Sequence, residues 1–233
     1  MFVGTDCPIP ATPDPRNLSR SPFCTLCDGS LSAAPTASPI ALAAGFTGQA
    51  FTSTNELVDA VDQYMLESSS DSNVVTTYGR PIGNWNVSQI RDFNNLFDSG
   101  RNQDMSRFDF DLSGWDVSSA ETMRQMFRGT VSFQDARNGL SDWNVARVTD
   151  MSGMFDSSAF AGNISKWQVA RVTDFSFFAH FASSFESDVS KWSVGSVNDA
   201  SWMFRAAKQF TSDVSGWDVS NIGNFTLMYV TSL

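Results

Sequence analysis

The sequence predicts an α/β repeat: a solenoid of about six coils, each a short strand plus a short helix, preceded by an N-terminal capping helix. Three observations predict it. Tryptophan recurs at Trp85, Trp115, Trp143, Trp167, Trp192 and Trp217, at intervals of 30, 28, 24, 25 and 25 residues, and a period in that range marks stacked repeats. Two residues after each Trp comes a valine: Val87, Val117, Val145, Val169, Val194 and Val219. Beyond each valine lies an apolar pair three residues apart, such as Met151 and Met154 or Phe175 and Phe178, the spacing of one helical face.

Residues 1–48 form a Pro/Ser/Ala-rich arm, in which Pro8, Pro10, Pro13, Pro15, Pro22, Pro35 and Pro39 interrupt any regular element. Cys24-Thr25-Leu26-Cys27 and Cys7 read as a disulfide or free thiols. A zinc site would need four ligands, and the single His180 lies far away in the repeats. Residues 49–79 hold the capping helix and a loop. Ser53 and Glu56 fit a capping box. Leu57, Val58, Val61, Tyr64 and Met65 share one face of a helix over 53–66, with Asp59 and Asp62 off it. Ser68 to Asn73 is a polar loop. Residues 80–233 are the repeats.

Within a coil, Asn163-Ile164-Ser165 reads as a short strand with Ile164 inward, and Trp167 and Val169 return to the core. Asp92, Thr122, Asp150, Asp174, Asp199 and Asn224 then occupy the place of a helix N-cap. Phe133, Phe160, Phe185 and Phe210 mark the turn back toward the next strand. The long first intervals place extra residues at 98–107 and 134–138, as loops. The six repeating tryptophans are expected to pack between coils, with Trp202 outside that position and exposed.

Composition narrows the function. Hydrophobic residues make up 42% of the chain, enough for a core, and charged residues 17%, with a net charge of -10. An acidic balance argues against nucleic acid and anionic membranes, which need basic patches. No apolar run approaches the roughly 20 residues of a membrane span. No basic, apolar signal peptide opens the chain, and no cap is visible after Val230, so a fragment is expected.

No catalytic residue is assigned, and the chain is not expected to be an enzyme. Nucleophilic catalysis needs a base beside Ser or Cys; the only His, His180, reads as a surface or half-buried side chain, and no Cys lies in the repeats. No phosphate loop, HExxH or EF-hand pattern appears, so no cofactor and no metal are expected. The carboxylates recur in every coil, which the repeat explains better than an active site does.

The candidate site is the outer strand face. Asp111 and Ser113, Asn163 and Ser165, Asp188 and Ser190, and Asp213 and Ser215 recur as Asp/Asn-x-Ser. Stacked, they would line a carboxylate/amide row beside a hydroxyl row able to bind glycan, peptide or Ca²⁺. The competing reading is that they satisfy turn backbone. Asn17, Asn86, Asn163 and Asn224 also begin glycosylation sequons, relevant only in a eukaryotic secretory pathway.

The string from Trp143 through Val148-Thr149-Asp150-Met151 to Met154-Phe155 resembles the W-x-V-x-x-V-T-D-M-x-x-M-F repeat of the mycoplasma-type surface lipoprotein family, grouped with BspA-like leucine-rich-repeat proteins. The likeness covers about residues 80–230. It departs at Phe175 to Ala179 and at Ala200, which read as core substitutions. The resemblance implies a leucine-rich-repeat-like solenoid on an extracellular or cell-surface protein without known catalysis. The expected function is binding or adhesion to a glycan or protein ligand. The alternative is a structural spacer, or a subunit that self-associates through its C-terminal coil.

Overall fold

The computed structural model describes residues 49–66 and 73–228. The proline-rich arm with its three cysteines and Asn17, most of the predicted 68–73 loop, and the residues after Met228 lie outside them. All described residues belong to one compact unit, Gly45–Leu233.

Helix α1 (Thr54–Leu66) starts as the capping residues predict. Ser53 Oγ accepts the Glu56 N–H at 3.2 Å. The Glu56 carboxylate reaches one residue further back than in a standard box, to the Thr52 N–H (3.0 Å) and hydroxyl (3.1 Å). It also accepts from the Tyr78 hydroxyl at 2.8 Å. The Thr52 N–H and then Tyr78 hold Glu56 below its usual carboxylate range. Burial, followed by the bond to Glu56, pushes Tyr78 up to about 12. Leu57, Ala60, Val61 and Tyr64 are buried, and Val58 and Met65 pack at the edge of the core. A short second helix, α2 (Asn73–Tyr78), follows. Its Tyr78 stacks on Phe51 at 4.1 Å, and Phe51 lies 5.3 Å from Trp85, so α1 and α2 cover the first repeat with aromatic rings.

The α/β architecture does not form. Among the described residues the repeats contain no α-helix and no strand, only turns and two 3-10 segments, Ile82–Asn84 and Gln103–Arg107. The leucine-rich-repeat-like reading, with a strand and a helix in each coil, is therefore corrected. The hydrogen bonds give the reason. An α-helix sends each N–H to the carbonyl four residues back. Here Leu96 N–H closes a turn on Phe93 O, and alternate N–H groups leave the repeat altogether. Phe93, Asn95, Phe97 and Ser99 donate to Thr122 O, Arg124 O, Met126 O and Arg128 O at 2.9–3.0 Å. Apolar residues three apart thus mark consecutive turns. The predicted strand fails similarly: Ser165 N–H returns to Asn163 Oδ1 and Trp167 N–H to Ile164 O, which bends the segment.

The would-be helix caps are single parallel bridge residues, joined Asp92 to Thr122, Thr122 to Asp150, Asp150 to Asp174, Asp174 to Asp199 and Asp199 to Asn224. Asp92, Asp150, Asp174, Asp199 and Asn224 each accept the N–H two residues on through Oδ1. Thr122 has no such oxygen. Asn94 of the preceding repeat replaces it, accepting from Arg124 N–H (2.8 Å) and Thr122 Oγ1 (2.6 Å).

The six repeating tryptophans are core, none more than 7% exposed. Trp115, Trp143, Trp167 and Trp217 donate Nε1–H to Ile82 O, Leu112 O, Leu140 O and Val189 O of the preceding repeat. That carbonyl lies three residues before the preceding Trp, whose backbone N–H it also accepts. Trp192 Nε1 alone is buried without a partner among the described residues. Phe127–Phe133, Phe155–Phe160 and Phe204–Phe210 pair within repeats at 3.9–4.6 Å. The valine row is buried from Val87 to Val194, but Val219 is 41% exposed.

Candidate functional site

The predicted Asp/Asn-x-Ser residues all build turns. Asp111, Asn163, Asp188 and Asp213 each accept, through Oδ1, the N–H of Ser113, Ser165, Ser190 and Ser215 at 2.9–3.0 Å. In Asp111, Asp188 and Asp213 alike it is chiefly this backbone N–H that holds the carboxyl below its usual range. The strand face on which they were expected to stand is absent.

The structure gathers only some of them. Asn163, Ser165 and Asp188 line an open groove of about 480 Å³ with Gln134, Asn138 and Glu186. Asp111 lines a separate groove with Phe110 and Arg137; Ser113, Ser190, Asp213 and Ser215 lie outside both. Hydroxyls one repeat on tie the row together. Ser187 Oγ accepts Ile164 N–H (2.9 Å), and Ser212 Oγ accepts Val189 N–H (3.0 Å) while donating to Asp188 Oδ1 (3.0 Å). Asp135, in the expected insertion, reaches both grooves. Burial pushes its carboxyl up against the pull of the Gly139 and Leu140 N–H groups, and Asp111 and Asp109 add to the push.

A second surface was not read from the sequence. The consecutive turns need a left-handed residue at one place in each repeat: Asn95, Gln125, Gly153, Phe177, Trp202 and Leu227, with φ between 49° and 62°. A second such place, four residues on, holds Gly129, Ser157, Phe181 and Ala206. For a bulky side chain this backbone costs roughly 1–2 kcal/mol. Phe177, Phe181 and Trp202 bear that strain, yet Phe177 and Phe181 are 39% and 51% exposed and Trp202 is half-buried. The rings cluster: Phe177 lies parallel to Trp202 (5.8 Å, 5°), and His180 sits 5.2 Å from Phe177 and 4.3 Å from Phe181. The Arg205 guanidinium lies 4.6 Å over Trp202 and 5.3 Å over Phe181.

One residue per repeat links this cluster into a charge chain. Asp98 meets Arg128 at 3.6 Å, Arg128 meets Asp156 at 3.6 Å, Asp156 meets His180 Nδ1 at 3.0 Å, and His180 Nε2 meets Arg205 at 3.4 Å. A guanidinium only donates, so Nε2 accepts and Nδ1 carries the proton toward Asp156. The nitrogen that would serve as a base toward a nucleophile thus faces Arg205. Beside Phe177 lies a groove of about 430 Å³ lined by Arg124, Gln125, Arg128, Asp150, Asp156 and Asp174. Trp202 stands outside the core Trp row, as expected. Phe177 reads in sequence as a core substitution; it is exposed instead, because it stands at the left-handed turn position. Among the described residues no group of three or more His, Cys, Asp or Glu side chains is placed to hold a metal. Nor is any helix there long and apolar enough to cross a membrane.

The repeats match a known sequence family twice, over residues 49–139 and 134–232; the family is described as Mycoplasma protein of unknown function, DUF285. The chain belongs to this family. Its two matches together span the capping helix and all six repeats. No curated protein and no solved structure matches this DUF285 chain.

Proposed function

We propose that this DUF285 chain is a non-catalytic binding module, secreted or displayed at a cell surface, whose ligand is a glycan or a protein. The observation that carries the reading is the groove of Asn163, Ser165 and Asp188. It aligns amide, hydroxyl and carboxylate groups from successive repeats on backbone fixed by repeat-to-repeat hydrogen bonds, which supports recognition without requiring a base or metal. The test is a glycan array and a panel of collagen and fibronectin, probed with the whole chain and with Asp188→Ala and Asp213→Ala. Binding is expected for the parent chain and weaker binding for Asp188→Ala, with Asp213→Ala affected less because it lies outside the groove. A chain that binds nothing on either panel overturns the reading.

A second reading, a self-associating structural subunit, is favoured by Val219, Phe225 and Leu227, each exposed by 41–44% within one repeat. Exposed apolar clusters mark contact surfaces. Light scattering should then show concentration-dependent oligomers that Phe225→Ser and Leu227→Ser abolish; a monomer at all concentrations removes this reading.

A further inference from the structure

We propose that the aromatic face of Phe177, Phe181 and Trp202, with the polar groove beside it, binds a neutral pyranose oligosaccharide. The inference rests on the binding-module reading and gives it a site distinct from the Asn163 groove. The rings do not serve the core. They are part-exposed, and they occupy backbone that suits glycine, as Gly153 and Gly129 show at the same places in earlier repeats. Strain retained without burial points to a surface role.

Size argues for a sugar. An aromatic side chain offers about 150–250 Å². At the observed exposures the three rings together present on the order of 250 Å², whereas a stable protein interface takes about 800 Å² from each partner. Phe177 and Trp202 lie parallel with centroids 5.8 Å apart, too far for full overlap, and Phe177 and Phe181 keep 39% and 51% of their surface exposed. A pyranose carries C–H groups on one face and hydroxyls around its rim. The C–H face suits the negative faces of the rings. The rim hydroxyls suit the adjoining groove, where Asp150 and Asp174 each use Oδ1 for their own turns and Gln125 adds an amide. Charge argues for neutrality. Asp150, Asp156 and Asp174 face Arg124 and Arg128 across the groove, which leaves no strong local charge to select an ionic sugar, and the net charge of -10 disfavours an anionic one. The Arg205 guanidinium, over one face of Trp202 and of Phe181, repels a cationic ligand.

Trp202 supplies the readout, since the other six tryptophans are buried. Cellopentaose, laminaripentaose and chitopentaose are titrated against the full chain while acrylamide quenching of Trp fluorescence is followed. At least one should shield the quenchable fraction, and Trp202→Ala should lose that fraction and bind at least 10-fold more weakly. Phe177→Gly should also bind about 10-fold more weakly while its Tm stays the same or rises, because glycine suits that φ. If the parent chain binds none of the three sugars, the aromatic site is overturned, and the array and matrix proteins decide the binding-module reading separately. If the chain binds a sugar and both variants bind it unchanged, the aromatic site is overturned and the binding-module reading stands.

Discussion

At the scale of single residues, each repeat is set by an indole and a carboxylate. Trp167 places its ring in the core and its N–H on Leu140 O, whereas Trp192 buries the same N–H without a partner. Trp167→Phe should therefore destabilise by about 1–2 kcal/mol more than Trp192→Phe, since only the first leaves a carbonyl with one bond fewer. Urea unfolding of the two variants checks the order. The turn carboxylates give a pH signature. Asp188 and Asp213 are held below their usual range by the Ser190 and Ser215 N–H groups. A depressed carboxyl contributes stability above its unfolded pKa of about 3.9 and loses it as pH falls through the folded value. Asp188→Asn with Asp213→Asn should keep the Tm near that of the parent at pH 7, because the amide oxygen still accepts, and should lose less Tm between pH 4 and 2. Identical acid limbs would refute the assignment. The turn role of Asp188 and Asp213 was legible only as the competing reading, because Asp/Asn-x-Ser carries turn chemistry in its own spacing, whereas the strand face expected of them did not form. Phe177 was not legible: Phe175 and Phe178 beside it are core, and nothing in a phenylalanine announces a left-handed backbone.

At the scale of elements, α1 was legible from its cap and its apolar face, and its attachment was not. Arg101 makes a two-pronged pair with Asp62 at 2.6 and 2.9 Å, also donates to Asn95 O and Leu96 O, and is joined on Asp62 by Asn102 at 2.9 Å. Arg101 and Asn102 belong to the 98–107 insertion, which reads in sequence as a loop. The structure gives it a 3-10 turn, Gln103–Arg107, with Met105 buried. Asp62→Ala leaves a half-buried guanidinium short of its acceptor and should cost about 1.5–3 kcal/mol. Hydrogen exchange should show that loss first in α1. The six turn segments read in sequence as helices because an Asp, Asn or Thr at the start and apolar residues three apart serve both structures equally. What separates them is where the N–H groups go, and that depends on a neighbouring repeat no local pattern can display.

At the scale of the whole molecule, the periodicity of Trp and Val was the legible part, and it located all six repeats. The secondary structure within them was not legible. Far-UV circular dichroism offers a direct check. With helices confined to 13 and 6 described residues, the 222 nm band should be weak, while a helix in every repeat would make it strong. The indole bonds also explain how unequal repeats coexist. Trp115 and Trp143 close intervals of 30 and 28 residues and Trp167 one of 24, yet each reaches the carbonyl three residues before the Trp it follows. Alignment is thus measured across the stack, from ring to carbonyl, and not counted along the chain. A gene encoding such repeats can lengthen or shorten the stretch between two tryptophans and still deliver every later repeat in phase.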